Sequence, residues 1–160
     1  MADNAPGQPF LLRRIGAALY DTLICTGILL GIGIAFTLLM GGGTEDLRGP
    51  GPAGRALLQL LVVLTPIAYF AGSWVRGGQT IGARAWRIQV VAMDGGPVSF
   101  AAAIARLFAG LVAWLPAGLG VWWSLFDRQR LAWHDRLSGT RLAYAPRVPS
   151  ARAQEEDTAE

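Results

Sequence analysis

Asp21 places a carboxylate at the start of a long apolar run in this chain. No charged residue follows it until Glu45, and residues 22–40 are almost entirely apolar. A run of this length can span a bilayer, which needs roughly 20 apolar residues. A charged side chain inside a spanning helix costs about 2.5–3.5 kcal/mol on insertion scales, so it usually faces a partner or a water-filled cavity. The sequence therefore predicts an integral membrane protein with a polar interior site.

Arg14 lies on the same predicted helix face as Asp21, seven residues before it. At the standard helical rise their Cα atoms are about 10.5 Å apart, and both side chains lean toward the N-terminus, so we do not expect them to pair. Each is expected to contact a charged group from another segment. For Asp21 the candidate partners, in this order, are Arg106, Arg136 and His134. For Arg14 they are Asp127 and Asp135.

Together these side chains form a candidate charge cluster that has three candidate roles. In the first, the cluster titrates or binds an ion. In the second, it is a structural set of ion pairs that fixes helix packing. In the third, Asp21 lies near the membrane surface and reaches water. His134 could also relay a proton beside Asp135, since imidazole titrates near neutral pH; the alternative is an interfacial histidine in a turn or cap.

Motifs for catalysis and metal binding are missing from the sequence. Ser138 lacks the upstream glycine of a nucleophile elbow, and no phosphate-binding loop occurs. One His and one Cys cannot build an ordinary zinc site. We therefore expect no enzyme activity, no cofactor and no metal.

Composition places the chain among membrane proteins. It has 160 residues, of which 52% are hydrophobic and 16% are charged, whereas soluble domains carry about 25% charged residues. The length favours one membrane domain. The net charge is +3, but the arginines flank apolar segments and do not form one basic arm. We therefore expect the lipid bilayer, and no nucleic acid, as a partner.

The apolar pattern predicts a helical hairpin followed by a third helical segment that is broken or re-entrant, so the predicted fold class is an all-α integral membrane protein. The predicted helices cover about residues 10–40, 56–75 and 100–126 of a membrane domain at 10–144. The remaining predicted parts are a disordered lead at 1–9, a loop at 41–55 and a disordered tail at 145–160.

Arginine distribution bears on how the third segment meets the membrane. Arg outnumbers Asp in residues 76–106 and in residues 127–147, and the positive-inside rule places such segments, and here also the N-terminus, in the cytoplasm. A third straight crossing would put residues 127–147 outside, so we favour a fold-back near residues 116–120. Fold-back would also pair two β-compatible stretches, Ile88–Ala92 and Thr140–Tyr144, as a short two-stranded element at the cytoplasmic surface.

Four stretches of the chain resemble the RDD family of small membrane proteins. They are RIGAALYD at 14–21, GQTIG at 78–82, DGG at 94–96 and HDRLSGT at 134–140. They occur in order and extend over most of the predicted membrane domain. One departure is Tyr20, which stands where an aliphatic residue is common in the family. The resemblance implies a multi-pass protein of the bacterial cell (inner) membrane with a transport role, and some members are linked to cation/proton antiport.

Two functions follow from the charge cluster and the resemblance. The first is transport coupled to a proton or a monovalent cation. A path would form more easily between protomers, because three or four passes enclose little space, so we expect a homo-oligomer or another membrane subunit as partner. The alternative is a non-catalytic membrane assembly or accessory subunit, in which the charge cluster is structural. Flux across proteoliposomes with and without Asp21 separates the two.

Overall fold

A computed structural model describes residues 11–40 and 50–145 of the chain. The predicted lead at 1–9, most of the predicted loop at 41–55 and all but the first residue of the predicted tail lie outside the described residues. The elements in chain order are α1 Leu11–Met40, α2 Pro52–Gly77, α3 Ile81–Ala85, β1 Ile88–Ala92, α4 Phe100–Trp114, α5 Leu119–Trp122, a 3-10 turn at Trp123–Leu125, α6 Trp133–Ser138 and β2 Thr140–Tyr144.

The first two helices are long and apolar enough to cross a membrane. An 18-residue window within Leu11–Leu39 has a mean hydropathy of 2.3, and one within Pro52–Gly77 has a mean hydropathy of 1.8. At the standard rise both exceed the hydrocarbon thickness of about 30 Å. Large side chains along α1, such as Leu23 and Leu38, are more than 70% exposed. Exposed apolar surface of this extent is accounted for by lipid contact, and the predicted membrane fold class is confirmed.

Local sequence sets the ends of α2. The helix begins at Pro52, earlier than the predicted start near residue 56, because proline suits the first turn, where its missing N–H is not needed. It ends at Gly77 and is capped by Gly78, whose φ of 68° is left-handed and whose N–H donates to the Trp74 carbonyl oxygen at 2.9 Å. This glycine cap turns the chain from the membrane span into α3.

The third apolar segment is bent, as predicted. Helix α4 has 15 residues, or about 22 Å at the standard rise, which is too short to cross the hydrocarbon core. It meets the Leu119–Leu125 stretch at 106°. Gly118 takes a left-handed φ of 77° at the bend. A Cβ on Gly120 would lie 2.6 Å from the Ala113 Cβ, so glycine is needed where the returning chain packs against α4.

The two strands form an antiparallel pair, which confirms the predicted element. Its register pairs Ile88 with Tyr144 and Ala92 with Thr140, and the Ala145 N–H donates to the Arg87 carbonyl oxygen just beyond β1. Because β1 precedes α4 and β2 follows α6, the pairing brings both ends of the third segment to one side of the membrane. A third straight crossing is incompatible with this pairing.

The buried core lies beneath the two strands. Its largest members, Ile88, Val90 and Leu142, are each less than 8% exposed and come from β1 and β2. They pack with small residues of the neighbouring helices, including Ala17 of α1, Ala71 of α2 and Ala103 of α4. The core therefore ties the N-terminal end of α1, the C-terminal end of α2 and the start of α4 into one layer, and this layer positions the charged residues.

Candidate functional site

Asp135 is the centre of a buried ion-pair triad that joins α1, α4 and α6. Its side chain is 0% exposed. Arg14 Nη1 lies 2.6 Å from Oδ2, and Arg106 Nη1 lies 2.7 Å from Oδ1. Oδ2 also accepts the Ala132 N–H at the start of α6. Two of the predicted partners, Arg14 and Asp135, thus do meet, and the fold-back of the third segment makes the contact.

Electrostatics keep the Asp135 carboxyl ionised. Burial alone would raise its pKa, but the Arg106 and Arg14 guanidinium groups outweigh burial and hold the pKa below its usual range. Further hydrogen bonds anchor the arginines. Arg106 donates to the Thr140 hydroxyl at 2.6 Å, and Arg14 Nη2 donates to the Arg130 carbonyl oxygen at 3.0 Å. The triad is therefore a structural ion-pair cluster in which Asp135 stays ionised.

Asp21 has a different environment from the one predicted. The Tyr69 hydroxyl donates to Oδ1 at 2.7 Å, the Thr80 hydroxyl donates to Oδ2 at 2.6 Å, and the Gly82 N–H donates to Oδ1 at 2.9 Å. Within residues 11–40 and 50–145 no basic side chain forms an ion pair with Asp21. The prediction that an arginine or histidine neutralises this carboxylate is wrong. Its candidate partners were Arg106, Arg136 and His134.

The start of α3 supplies hydrogen-bond donors to Asp21 in place of the predicted arginine. Thr80 caps α3, since its hydroxyl accepts the Ala83 N–H while donating to Asp21. A Cβ on Gly82 would lie 2.4 Å from the Ala17 carbonyl oxygen and 2.8 Å from Asp21 Oδ1. Only glycine lets α3 approach α1 this closely, and the buried Asp21 carboxyl group then receives its hydrogen bonds from neutral donors.

Asp127 and Arg136 pair with each other, away from the buried triad. Arg136 Nη2 lies 2.6 Å from Asp127 Oδ1, and the Arg136 side chain is 51% exposed. Asp127 Oδ2 also accepts the Leu131 N–H at 2.9 Å, and this bond, followed by Arg136, lowers the Asp127 pKa. The predicted cluster is thus three separate groups: a buried triad, a carboxylate held by neutral donors and a surface pair.

His134 lies beside the triad in its neutral form. Its Nε2 is 3.6 Å from Asp135 Oδ1. Burial, helped by the nearby Arg106 charge, lowers the pKa of His134 to about 4, so the imidazole is uncharged at neutral pH. Its Nδ1 is buried and has no hydrogen-bond partner among the described residues.

A cavity of about 350 Å³ lies between α1, α2 and α4. Arg14, Asp21, Arg106 and His134 contribute to its wall. Its apolar wall comes from Phe70, Trp74, Leu107, Leu111 and Trp114, among others. Asp135, which pairs with both arginines, does not line this space. Asp21 forms no ion pair with either arginine. No group of three or more potential metal ligands occurs in the described part of the chain.

Comparison with protein families decides the assignment. The family model described as RDD family matches residues 8–139. The chain belongs to the RDD family. No curated protein and no solved structure matches it. In this RDD protein the connector GQTIG provides Thr80 and Gly82 for Asp21, and the HDRLSGT stretch provides Asp135 and Thr140 for the triad.

The sequence analysis missed Tyr69, Thr80 and Gly82 as partners of Asp21. The sequence contains one signal for two of these partners. At a helix start, Thr80 offers a hydroxyl donor, and Gly82 offers a backbone N–H that no side chain covers. The sequence contains no comparable signal for Tyr69, which comes from the middle of an apolar helix. Only the packing of α2 beside α1 brings its hydroxyl to the carboxylate.

Proposed function

We propose that this RDD protein transports a proton or a monovalent cation across the membrane, with Asp21 as the ion-binding carboxylate. The observation that carries the proposal is a buried carboxylate that lines a cavity and forms no ion pair within the described residues. An ionised carboxyl offers about four acceptor positions, and three hydrogen bonds to Asp21 are present. The remaining acceptor capacity suits a small cation or a proton.

The buried triad has a supporting role in this proposal. Arg14 and Arg106 hold Asp135 in its charged form, so the triad is not the exchanging group. It fastens α4 and α6 to α1 and thereby forms one wall of the cavity beside Asp21. We assign the chain no enzymatic step.

We further propose that the N-terminus and the layer of α3, β1, β2 and α6 face the cytoplasm in a bacterial inner membrane. The excess of arginine over aspartate in residues 76–106 and 127–147 supports this orientation. We also propose a homo-oligomer, since one chain provides two full spans and one bent segment, which leave little room for a path across the bilayer.

Ion flux in proteoliposomes tests the role of Asp21. Asp21→Asn keeps the shape of the side chain and removes its charge, and we expect it to abolish proton or sodium flux driven by an imposed gradient. Asp94→Asn is the matched control, because Asp94 is exposed and its side chain accepts a local hydrogen bond from the Gly96 N–H. Full flux in a folded Asp21→Asn protein would refute the proposal.

A second candidate function is a membrane assembly or accessory subunit. The observation that favours it is the triad itself, in which one buried carboxylate pairs with two arginines and so joins three elements. In that case purified protein would carry no flux for any monovalent cation, and Asp21→Asn would leave association with its membrane partner unchanged. Flux in the wild-type protein that depends on Asp21 decides against this alternative.

A further inference from the structure

A second cleft, of about 340 Å³, opens at the C-terminal end of α2. It lies beside Tyr69, between the last turns of α2 and the start of α3. Its polar lining includes Ser73, Arg76, Gln79 and Arg84, and small residues such as Gly72 line the side nearer the membrane. The cleft is separate from the cavity around Arg14 and Arg106, and nothing in the transport proposal uses it.

Arg76 and Arg84 bring uncompensated positive charge to this cleft. Among the described residues no acidic side chain forms an ion pair with either of them. A Cβ on Gly72 would lie 2.9 Å from Arg76 Nη1. The guanidinium thus folds back over the preceding turn of α2, along the wall of the cleft, where a larger residue in place of Gly72 would displace it.

The position of the cleft in the membrane restricts its ligand. Helix α2 is one of the spans, and Arg76 lies in its last turn. Gly72 is therefore on the hydrocarbon side of the boundary between the hydrocarbon core and the lipid headgroups, and Arg84, in α3, is on the headgroup side. A ligand that fills the cleft needs an anionic group at the level of the headgroups and an apolar part below it.

We propose that this cleft binds the phosphate group of an anionic phospholipid. Guanidinium groups match phosphate oxygens bidentately, and basic residues at the end of a span attract anionic lipids. Ser73 adds a hydroxyl for the rest of the headgroup. Gln79, whose Nε2 also donates to the Ile88 carbonyl oxygen at 2.9 Å, adds its remaining hydrogen-bonding capacity. The apolar part of the lipid then continues along α2 past Gly72, which a soluble phosphate could not use.

Lipid binding to the purified full chain in neutral detergent, followed by native mass spectrometry, tests the proposal. We expect phosphatidylglycerol to bind and phosphatidylcholine to bind much more weakly. The double variant Arg76→Gln/Arg84→Gln should bind phosphatidylglycerol about 30-fold less tightly, from about fivefold per arginine. Gly72→Leu keeps both charges but fills the cleft, and it should also lose binding.

The matched control is Arg55→Gln, which removes an exposed arginine at the opposite end of the same helix. It should bind phosphatidylglycerol like the wild-type protein. Equal loss in the control, or unchanged binding in both cleft variants, would overturn the site. Competition by inorganic phosphate at concentrations comparable to the lipid would overturn a lipid as its ligand. Lipid binding is measured without ion flux, so a negative result for the lipid site would not affect the proposed role of Asp21.

Discussion

Asp21 is a buried acid that receives two hydroxyl donors and one backbone donor. Hydrogen bonds to a charged group are worth about 1.5–3 kcal/mol each, and three of them offset a large part of the desolvation penalty. The sequence predicted a basic partner for Asp21 because a buried carboxylate is most often stabilised by an opposite charge. It could not anticipate the approach of α3, which depends on the absence of a side chain at Gly82.

Removal of the Tyr69 hydroxyl should weaken the Asp21 site measurably. Tyr69→Phe deletes one donor to Oδ1 and leaves the ring in place, so we expect the free energy of unfolding to fall by about 1.5–3 kcal/mol. Equilibrium unfolding in mixed micelles measures it. Tyr20→Phe is the control, since Tyr20 is 51% exposed. A loss as large in the control would show that the hydroxyl bond to Asp21 is not the cause.

His134 should make stability depend on pH in a defined window. Its pKa in the folded protein is about 4, lowered from 6.5 mainly by burial, so the unfolded chain binds more protons between these values. Stability should therefore rise from pH 4 to pH 6.5, by up to about 3 kcal/mol. The chain has one histidine, and His134→Asn should flatten the profile. A slope that persists in that variant would assign it to other groups.

The bend of the third segment and the strand pair that it produces could both be predicted from the sequence. Its interruption at 116–120 and the arginines that follow it were sufficient to predict the fold-back and the pairing of β1 with β2. The ion pairs were less predictable, because α6 is a short helix whose orientation decides which side chains point inward. That orientation buries Asp135 between Arg14 and Arg106, and it leaves Arg136 on the surface with Asp127.

Loss of the Asp135 carboxylate should therefore be far more damaging than loss of Asp127. Asp135→Ala leaves two buried guanidinium groups unpaired, and we expect it to cost about 3–5 kcal/mol of unfolding free energy or to prevent folding. Asp127→Ala removes one partner of a pair whose arginine is half exposed and also the acceptor of the Leu131 N–H, and it should cost clearly less. Thermal unfolding in detergent compares the two variants. Similar effects would contradict the structural role of the triad.

Among the described residues, most of the buried polar and charged side chains lie at one end of an apolar hairpin. The N-terminal end of α1, the C-terminal end of α2 and both ends of the bent segment meet there, while the opposite ends of α1 and α2 carry exposed apolar residues. Composition and hydropathy were enough to predict this division. They did not reveal the two cavities, which arise from the packing of α1, α2 and α4 and from the turn after α2.

Cysteine accessibility should reveal opposite sides for the two ends of α2. In a Cys25→Ser background, Asp94→Cys is exposed in the turn after β1, and Ala53→Cys is exposed in the first turn of α2. We expect a membrane-impermeant thiol reagent added to intact cells to label position 53 and not position 94. Position 94 should react once the membrane is opened. Labelling of both from the same side would contradict the hairpin.

The pairing of β1 with β2 also has a consequence for how the chain enters the membrane during synthesis. Because the strands hold both ends of the bent segment on one side, which we propose to be the cytoplasm, the polar residues from Asp127 to β2 do not have to cross the bilayer. The insertion machinery needs to translocate only the connection between α1 and α2. The bent segment can then dock from the side on which it was made, and it is held in place only when the last strand, Thr140–Tyr144, has left the ribosome.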